Sequence, residues 1–419
     1  MNSSPKMGTT NVFTICNNYK KEKLTRIVKT NQSEKSMKIL LGTHYLAKTG
    51  GTESYTFALA TELKRLGHDV EYFAIVRGGV SSLLEEKGIP FMSADHYDLI
   101  LANHNTVVEE IWTRGYLIQT CHGSIAELEQ PSSLADAYVS VSEEVRDHLQ
   151  NKGFQSVVIP NGINCERFSP RKPVSQTLKT VLSLCQSDVA NDFIRKCCEQ
   201  AGVEFLQSNK FTDNVWSIED LINQSDLVIG LGRSAYDAMA CGRCALSYDY
   251  REYMGEFLGD GMLTPENIKK NMYCNCSGRS SRIHYDEQSF IEEMQKYSPE
   301  LAAWSREFAL KNLNIERVVQ KYLDIYKDID YRKEYNFLKL QINKRKTDIV
   351  RKYASILSDK EQQKKQLENQ LADVWHQVKT LQANSAAKSR KHLCAIRVLL
   401  WFNIALILSL VALIFYIFS

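Results

Sequence analysis

Three short groups of residues in this chain have the types and spacing to do chemistry. Gly50-Gly51-Thr52-Glu53 stands between an apolar run, Ile39-Leu40-Leu41, and a segment in which Phe57, Ala58, Ala60, Leu63 and Leu66 recur near a 3.6 period. Paired glycines there let the backbone approach a ligand closely. Amides at the start of the following helix point at it, which suits a phosphate or diphosphate. Gly230-Leu231-Gly232-Arg233-Ser234, with Asp237 beyond it, repeats the arrangement after Leu227-Val228-Ile229. Its glycines and the helix expected over 234–241 stand at the carboxyl end of a strand, where ligands of α/β sheets bind. His122, followed by Gly123, closes a third apolar run. The plain readings compete: a Gly-Gly pair can be a turn and a lone histidine structural, and Ala238-Met239-Ala240-Cys241 is core packing. The dinucleotide fingerprint G-x-G-x-x-G is absent.

The elements that must hold these groups alternate. Strands are expected at 39–42, 70–74, 99–102, 117–120, 137–141 and 156–159, with a helix from about 55 to 66 closed by Gly67 and another N-capped by Ser142. A second series follows, with strands at 180–184, 204–206, 227–230 and 244–247, helices at 185–201 and 234–241, and one long helix over 304–325. Uninterrupted apolar strands alternating with amphipathic helices predict parallel, doubly wound sheets. The expected division is a polar extension over 1–36, Rossmann-like domains over 37–168 and 169–328, a basic helical stalk over 329–397 and a transmembrane helix over 398–418. Gly259-Asp260-Gly261 reads as a turn.

Composition constrains partners. The net charge of +3 among 419 residues gives no footprint for nucleic acid. Of eleven cysteines several lie in apolar or helical surroundings (Cys121, Cys185, Cys197, Cys198, Cys241, Cys244), which suits reduced thiols rather than a disulfide framework. Cys274-Asn275-Cys276 has no second pair at metal-binding spacing, so no metal is expected. Asn31-Gln32-Ser33 and Asn275-Cys276-Ser277 match the glycosylation acceptor pattern, which matters only in a secretory lumen.

Taken as a unit, G-G-T-E followed by L-G-H-D-V at 66–70 resembles the donor-loop unit of GT-B glycosyltransferases, in particular the large retaining group called family 4. Ile159-Pro160-Asn161-Gly162-Ile163, with Phe168 after it, resembles that group's interdomain segment. Asp237-Ala238-Met239-Ala240-Cys241-Gly242 resembles its E-A-M-A-C-G motif. The resemblance covers about residues 37–328. It implies a donor in the cleft between the domains, Asp237 in the place of the acid that binds the donor ribose, and His122 against the donor sugar, positioning it or stabilising charge. Gly50, Gly51, Gly232, Arg233 and Ser234 would bind the donor, Arg233 by charge-assisted bonds to the diphosphate. Departures are plain. Ile229 stands where the family carries its first glutamate, and the second is shortened to Asp237. No Arg or Lys follows the first strand of the second domain before Arg195. Arg233 and Arg243 are expected to replace that charge.

Past residue 330 the pattern changes. Residues 331–397 carry 16 Lys/Arg against 6 Asp/Glu, a balance that attracts anionic headgroups. Leu367, Leu371, Val374, Val378 and Leu381 form a two-heptad seam for a parallel homodimer, or one face of a helix folded back on the body. Residues 398–418 hold no charge, enough to span about 30 Å of hydrocarbon. Lys388, Arg390, Lys391 and Arg397 precede them, so the body is expected on the cytoplasmic side.

The resulting expectation is a membrane-anchored glycosyltransferase of the hexosyltransferase class. It would move a sugar from a nucleotide-sugar to a glycan or lipid-linked acceptor, with retention, without an enzyme nucleophile and without a cofactor. A catalytically degenerate GT-B scaffold is the main rival, and an epimerase on the same fold a second.

Overall fold

The computed structural model describes residues 36–209, 215–251, 254–327, 332–387 and 393–418. The expected polar extension lies outside them, apart from Ser36.

The first αβ series is built from β1 (Lys38–Tyr45), α1 (Gly51–Arg65), β2 (Asp69–Val76), α2 (Gly79–Glu86), β3 (Leu99–Ala102), α3 (Asn105–Ile111), β4 (Tyr116–Cys121), β5 (Ala137–Ser140), α4 (Glu143–Asn151) and β6 (Val157–Val158). Its six strands are all parallel, in the order β2-β1-β3-β4-β5-β6. Ile39, Leu40 and Leu41 are buried because helices cover both faces of β1. Ser142 caps α4 through the Val145 amide at 3.4 Å, and Gly67 takes the left-handed conformation that ends α1.

The second series comprises β7 (Thr180–Ser183), α5 (Asp188–Ala201), β8 (Glu204–Gln207), α6 (Ile218–Ile222), β9 (Leu227–Ile229), α7 (Arg233–Ala240), β10 (Cys244–Arg251), β11 (Glu256–Met262), α8 (Ile268–Tyr273), α9 (Glu287–Met294), α10 (Pro299–Asn312) and α11 (Ile315–Lys327). The sheet order is β11-β10-β9-β7-β8. Two expectations are corrected here. Gly259-Asp260-Gly261 lies inside β11, an antiparallel edge strand whose register shifts between Ser247 and Tyr248. The long helix over 304–325 is two helices. The Ile163 amide donates to Leu313 O at 2.8 Å and the Ile315 amide to Ile163 O at 2.9 Å, so the interdomain segment pairs with the break.

The return helix α11 buries Ile315, Val318, Val319, Tyr322 and Leu323 with the core of the first domain. Tyr322 Oη lies 2.7 Å from both Tyr55 Oη and Thr120 Oγ1. One hydroxyl thereby ties α1, β4 and α11 together.

Helix α12 (Arg332–Ala387) is 56 residues long, roughly 84 Å at 1.5 Å per residue. Its first part docks on the first domain. Lys339 Nζ donates to Gly115 O at 3.0 Å and pairs with Asp136, while Thr113 Oγ1 donates to Asn343 Oδ1 at 2.9 Å. Helix α13 (Leu393–Phe418) packs against α12. Beyond Thr347, Leu367, Leu371, Val374, Val378 and Leu381 are the shielded positions of α12, and Leu400, Asn403, Ile407, Leu410 and Val411 those of α13 among its described side chains. The seam expected to meet a second copy is therefore covered within the chain. Among the described residues no helix is long and apolar enough to cross a membrane; within the uncharged run 398–418, side chains are described as far as Leu413.

Candidate functional site

Each sheet has a topological switch point, where strand order reverses and the crossover helices part: β1/β3 in the first, β7/β9 in the second. Crevices outside the carboxyl ends of such strands take ligands. Both switch points open onto one cleft of about 230 Å³. Gly50, Gly51 and Ser54 line it from the first domain, and Leu184, Gln186, Ser208, Arg233, Ser234 and Asp237 from the second.

The two helix starts are not equivalent. Gly50 caps α1 in an extended conformation (φ −158°), and the first intrahelical bond is Ser54 N–H to Gly50 O at 3.0 Å. The amides before it lack intrahelical partners, as at any helix start. A Cβ built on Gly51 meets nothing within 4 Å. At α7, Gly232 adopts φ +58°, and its amide donates to Cys276 O at 2.8 Å; the Ser234 amide donates to Leu231 O at 3.3 Å. Loop carbonyls thus occupy amides of α7.

Arg233 and Asp237 face each other one turn apart, Arg233 Nε lying 3.6 Å from Asp237 Oδ2. Arg233 Nη1 donates to Gly162 O at 3.1 Å, which links the donor-like motif to the interdomain segment. Arg233 Nε and Asp237 Oδ1 are buried without a hydrogen-bond partner. Orphaned buried polar atoms cost free energy unless a ligand or water satisfies them. Burial pushes the Asp237 carboxyl up to about 6, against the opposing pull of Arg233 and Arg167.

His122 is fixed by a directed chain. Thr56 Oγ1 donates to Thr52 O at 2.8 Å, Asn103 Nδ2 donates to Thr56 Oγ1 at 2.8 Å, and His122 Nε2 sits 3.1 Å from Asn103 Oδ1. That network assigns the ring proton to Nε2 and leaves Nδ1 an acceptor. Burial, then repulsion by His104, lowers the His122 pKa to about 3. The imidazole is therefore neutral near pH 7, which removes cationic charge stabilisation and leaves positioning. Tyr55 packs edge-on against it, with ring centroids 5.1 Å apart.

His122 also borders a second cavity, about 410 Å³, with Glu129 and Val145 from the first domain and Asn275, Ser277 and Arg279 from the second. The Asn161 side chain stands against His122, Asn275 Oδ1 and Ser277 Oγ are buried without partners, and burial raises the Glu129 carboxyl. Glu127, five residues beyond His122, is exposed and outside this lining. The Glu144–Arg279 ion pair and a 2.5 Å bond from Tyr273 Oη to Asp147 Oδ2 join the domains beside this cavity. Trp216 meets Phe57 at 4.9 Å on the other side. Asn161 lay within the interdomain motif legible in the sequence; Asn275 and Ser277 were legible only as a glycosylation pattern, and a loop held by Asn275 (φ 56°) and Cys276 (φ 48°) brings them to this cavity.

Arg243 is not brought to the cleft. It is buried to 1% exposure and donates to Lys172 O, Ile222 O, Asn223 O and Asn223 Oδ1. The expected replacement of the diphosphate clamp falls to Arg233 alone among the lining residues. Arg243→Met should strand those acceptors and cost about 3 kcal/mol or more of stability in a denaturant titration. Arg243→Lys should not restore it, since an ammonium cannot span that fork. Among the described residues no cluster of three or more His, Cys, Asp or Glu is placed to hold a metal.

Fold and site together define a two-domain α/β protein whose interdomain cleft presents a helix N-terminus, the partly buried Arg233 and a carboxylate with one orphaned oxygen, Asp237. No protein-family model and no curated protein matches the chain. In structure it is similar to Anabaena HepE in complex with UDP and glucose, at 16% identity and TM-score 0.47 over 70% of this chain and 100% of that one. It is also similar to a glycosyltransferase from Rickettsia africae, at 17% identity and TM-score 0.46 over 70% and 98%.

Proposed function

We propose that the chain is a GT-B glycosyltransferase that transfers a sugar, with retention, from a nucleotide-sugar to a glycan or lipid-linked acceptor at a membrane surface. The observation that carries this reading is the facing of two switch points across one cleft, with Gly50-Gly51 opposite Arg233 and Asp237. A diphosphate leaving group would lie against the α1 amides and Arg233, with the ribose hydroxyls on Asp237. His122 would hold a sugar hydroxyl on Nδ1, and the second cavity would receive the acceptor. Leaving-group stabilisation and geometry then supply the rate, and no covalent nucleophile is called for.

The test is nucleotide release by the purified full chain, in detergent, with a panel of nucleotide sugars. Release with at least one of them is expected. A degenerate scaffold is the second reading, favoured by the absence of any basic residue between Cys185 and Ile194. Absence of both turnover and calorimetric binding of UDP or GDP would decide for it.

Asp237 makes the binding pH-dependent. A ribose hydroxyl donates to the carboxylate, so UDP-glucose affinity should rise as pH increases through about 6. Asp237→Asn should flatten the calorimetric profile. Stability has the opposite sign: between the ordinary carboxyl value of 3.8 and about 6 the folded chain retains a proton that the unfolded chain has released, so stability falls as pH rises through that window.

The anchor reading rests on the uncharged run 398–418 and on the exposure of Trp401, Phe402 and Leu408 on α13. Inserted with the basic flank on the cytoplasmic side, α13 would leave the body cytoplasmic. Withdrawing α13 from α12 would free the Leu367–Leu381 seam for a second copy. Resistance of the protein to alkaline extraction from membranes tests the anchor.

A further inference from the structure

The cavity of about 410 Å³ beside His122 holds a carboxylate that the fold leaves unused. Its charged lining residues are Glu129, Glu144 and Arg279. Glu144 and Arg279 pair with each other across the domains, and the His122 ring is neutral. Glu129 is half-buried, and burial alone acts on its carboxyl; no described hydrogen-bond donor or cation opposes it. Gly123 fixes where that carboxyl lies. A Cβ built on Gly123 would stand 2.3 Å from Glu129 Oε2, so the carboxyl sits against the backbone next to His122. Gly123 is outside the left-handed region, so what it supplies is room and not a special conformation. Exposed Ile125 and buried Val145 add apolar surface to the same lining.

We infer that Glu129 is an acceptor-binding residue, taking a hydrogen bond from a hydroxyl of an uncharged sugar ring seated in this cavity. The inference rests on the glycosyltransferase reading for the cavity's role and adds the group that holds the acceptor. An ionised carboxylate accepts and cannot donate, so its partner must bring the proton, and a hydroxyl does so in a charge-assisted bond. Charge then narrows the substrate. With Glu144 neutralised by Arg279, the lining keeps one unbalanced negative charge, which repels a phosphate or carboxylate on the bound ring. The cavity is of the size that takes a small molecule. Ile125 and Val145 offer the apolar surface that the C–H face of a pyranose packs on. A hydroxyl held over Gly123 lies beside His122, which the proposed function sets against the transferred sugar, so the two sugars would meet there.

Saturation-transfer NMR on the full chain, in a detergent without a sugar headgroup, tests this. The probes are the methyl glycosides of glucose, galactose and mannose, with glucose 6-phosphate as the anionic counterpart. At least one neutral glycoside is expected to bind, and the phosphate to bind at least roughly tenfold more weakly. Glu129→Gln keeps the shape and removes the charge, and should weaken glycoside binding about tenfold, the scale of a charged hydrogen bond. Gly123→Ala keeps the charge but displaces the carboxyl, and should weaken it similarly. Calorimetric UDP affinity should stay within about twofold in both variants, which assigns the loss to the acceptor side of the protein. Wild-type glycoside affinity in folded Glu129→Gln would overturn the inference, as would preference for glucose 6-phosphate or no glycoside bound by the wild-type chain. The NMR readout needs no turnover. Glycoside binding that depends on Glu129, in a chain that neither binds UDP nor releases nucleotide, would sink the transferase reading and leave Glu129 a sugar-binding residue.

Discussion

Gly51→Trp is expected to abolish nucleotide-sugar binding while leaving the fold intact. A side chain at this position has open space, because a Cβ built there meets nothing within 4 Å. Its backbone is not in the left-handed region, so no glycine conformation is lost. The indole would project into a cleft of only about 230 Å³, over the amides that open α1. A loss of at least roughly 100-fold in UDP affinity is expected, since it removes both the space and the amide contacts, equivalent to about 3 kcal/mol. The melting temperature should stay within about 2 °C, as for a substitution that strands no buried group. Gly50 makes the contrast: its Cβ would lie 2.2 Å from Glu53 Oε2, so Gly50→Val must displace that side chain and should lower stability. Wild-type UDP affinity in folded Gly51→Trp would reduce the loop to a turn.

Arg233→Ala should weaken UDP binding by about 2–3 kcal/mol, roughly 30- to 150-fold in Kd, the scale of losing charged hydrogen bonds. Two further effects separate this from a simple loss of charge. Gly162 O loses the donor that ties the interdomain segment to α7. Asp237 loses its nearest cation, so its carboxyl moves further above about 6 and the pH midpoint for binding shifts upward. Arg233→Lys should recover part of the affinity, because the charge returns without the planar fork. Calorimetry across pH with both variants reads all three effects. Unchanged affinity in Arg233→Ala would remove the arginine from the site.

How much of this was legible depends on range. Periodicity over 39–66 and 227–241 located both glycine loops and both helices, because an apolar strand, a loop and an amphipathic helix are local patterns. The long helix over 304–325 misled, since its break depends on Ile163, some 150 residues earlier in the chain. Gly259-Asp260-Gly261 misled as well: turn residues are drawn into β11 by pairing with β10, and local composition cannot report that pairing. Arg243 is the sharpest case. One residue past the motif, it carries the right charge, yet Lys172, Ile222 and Asn223 turn it inward.

By itself, the order of residues determined two αβ halves, a glycine loop at Gly50-Gly51 between strand and helix, and an uncharged run at 398–418, since each follows from neighbours a few positions apart. Tertiary structure decided the rest. It set loop carbonyls on the Gly232 and Ser234 amides of α7, gave His122 a neutral ring, and left Asp237 half-satisfied near pH 6. The reason is physical: burial, orphaned polar atoms and pKa shifts are properties of surroundings, assembled from residues tens to hundreds of positions apart.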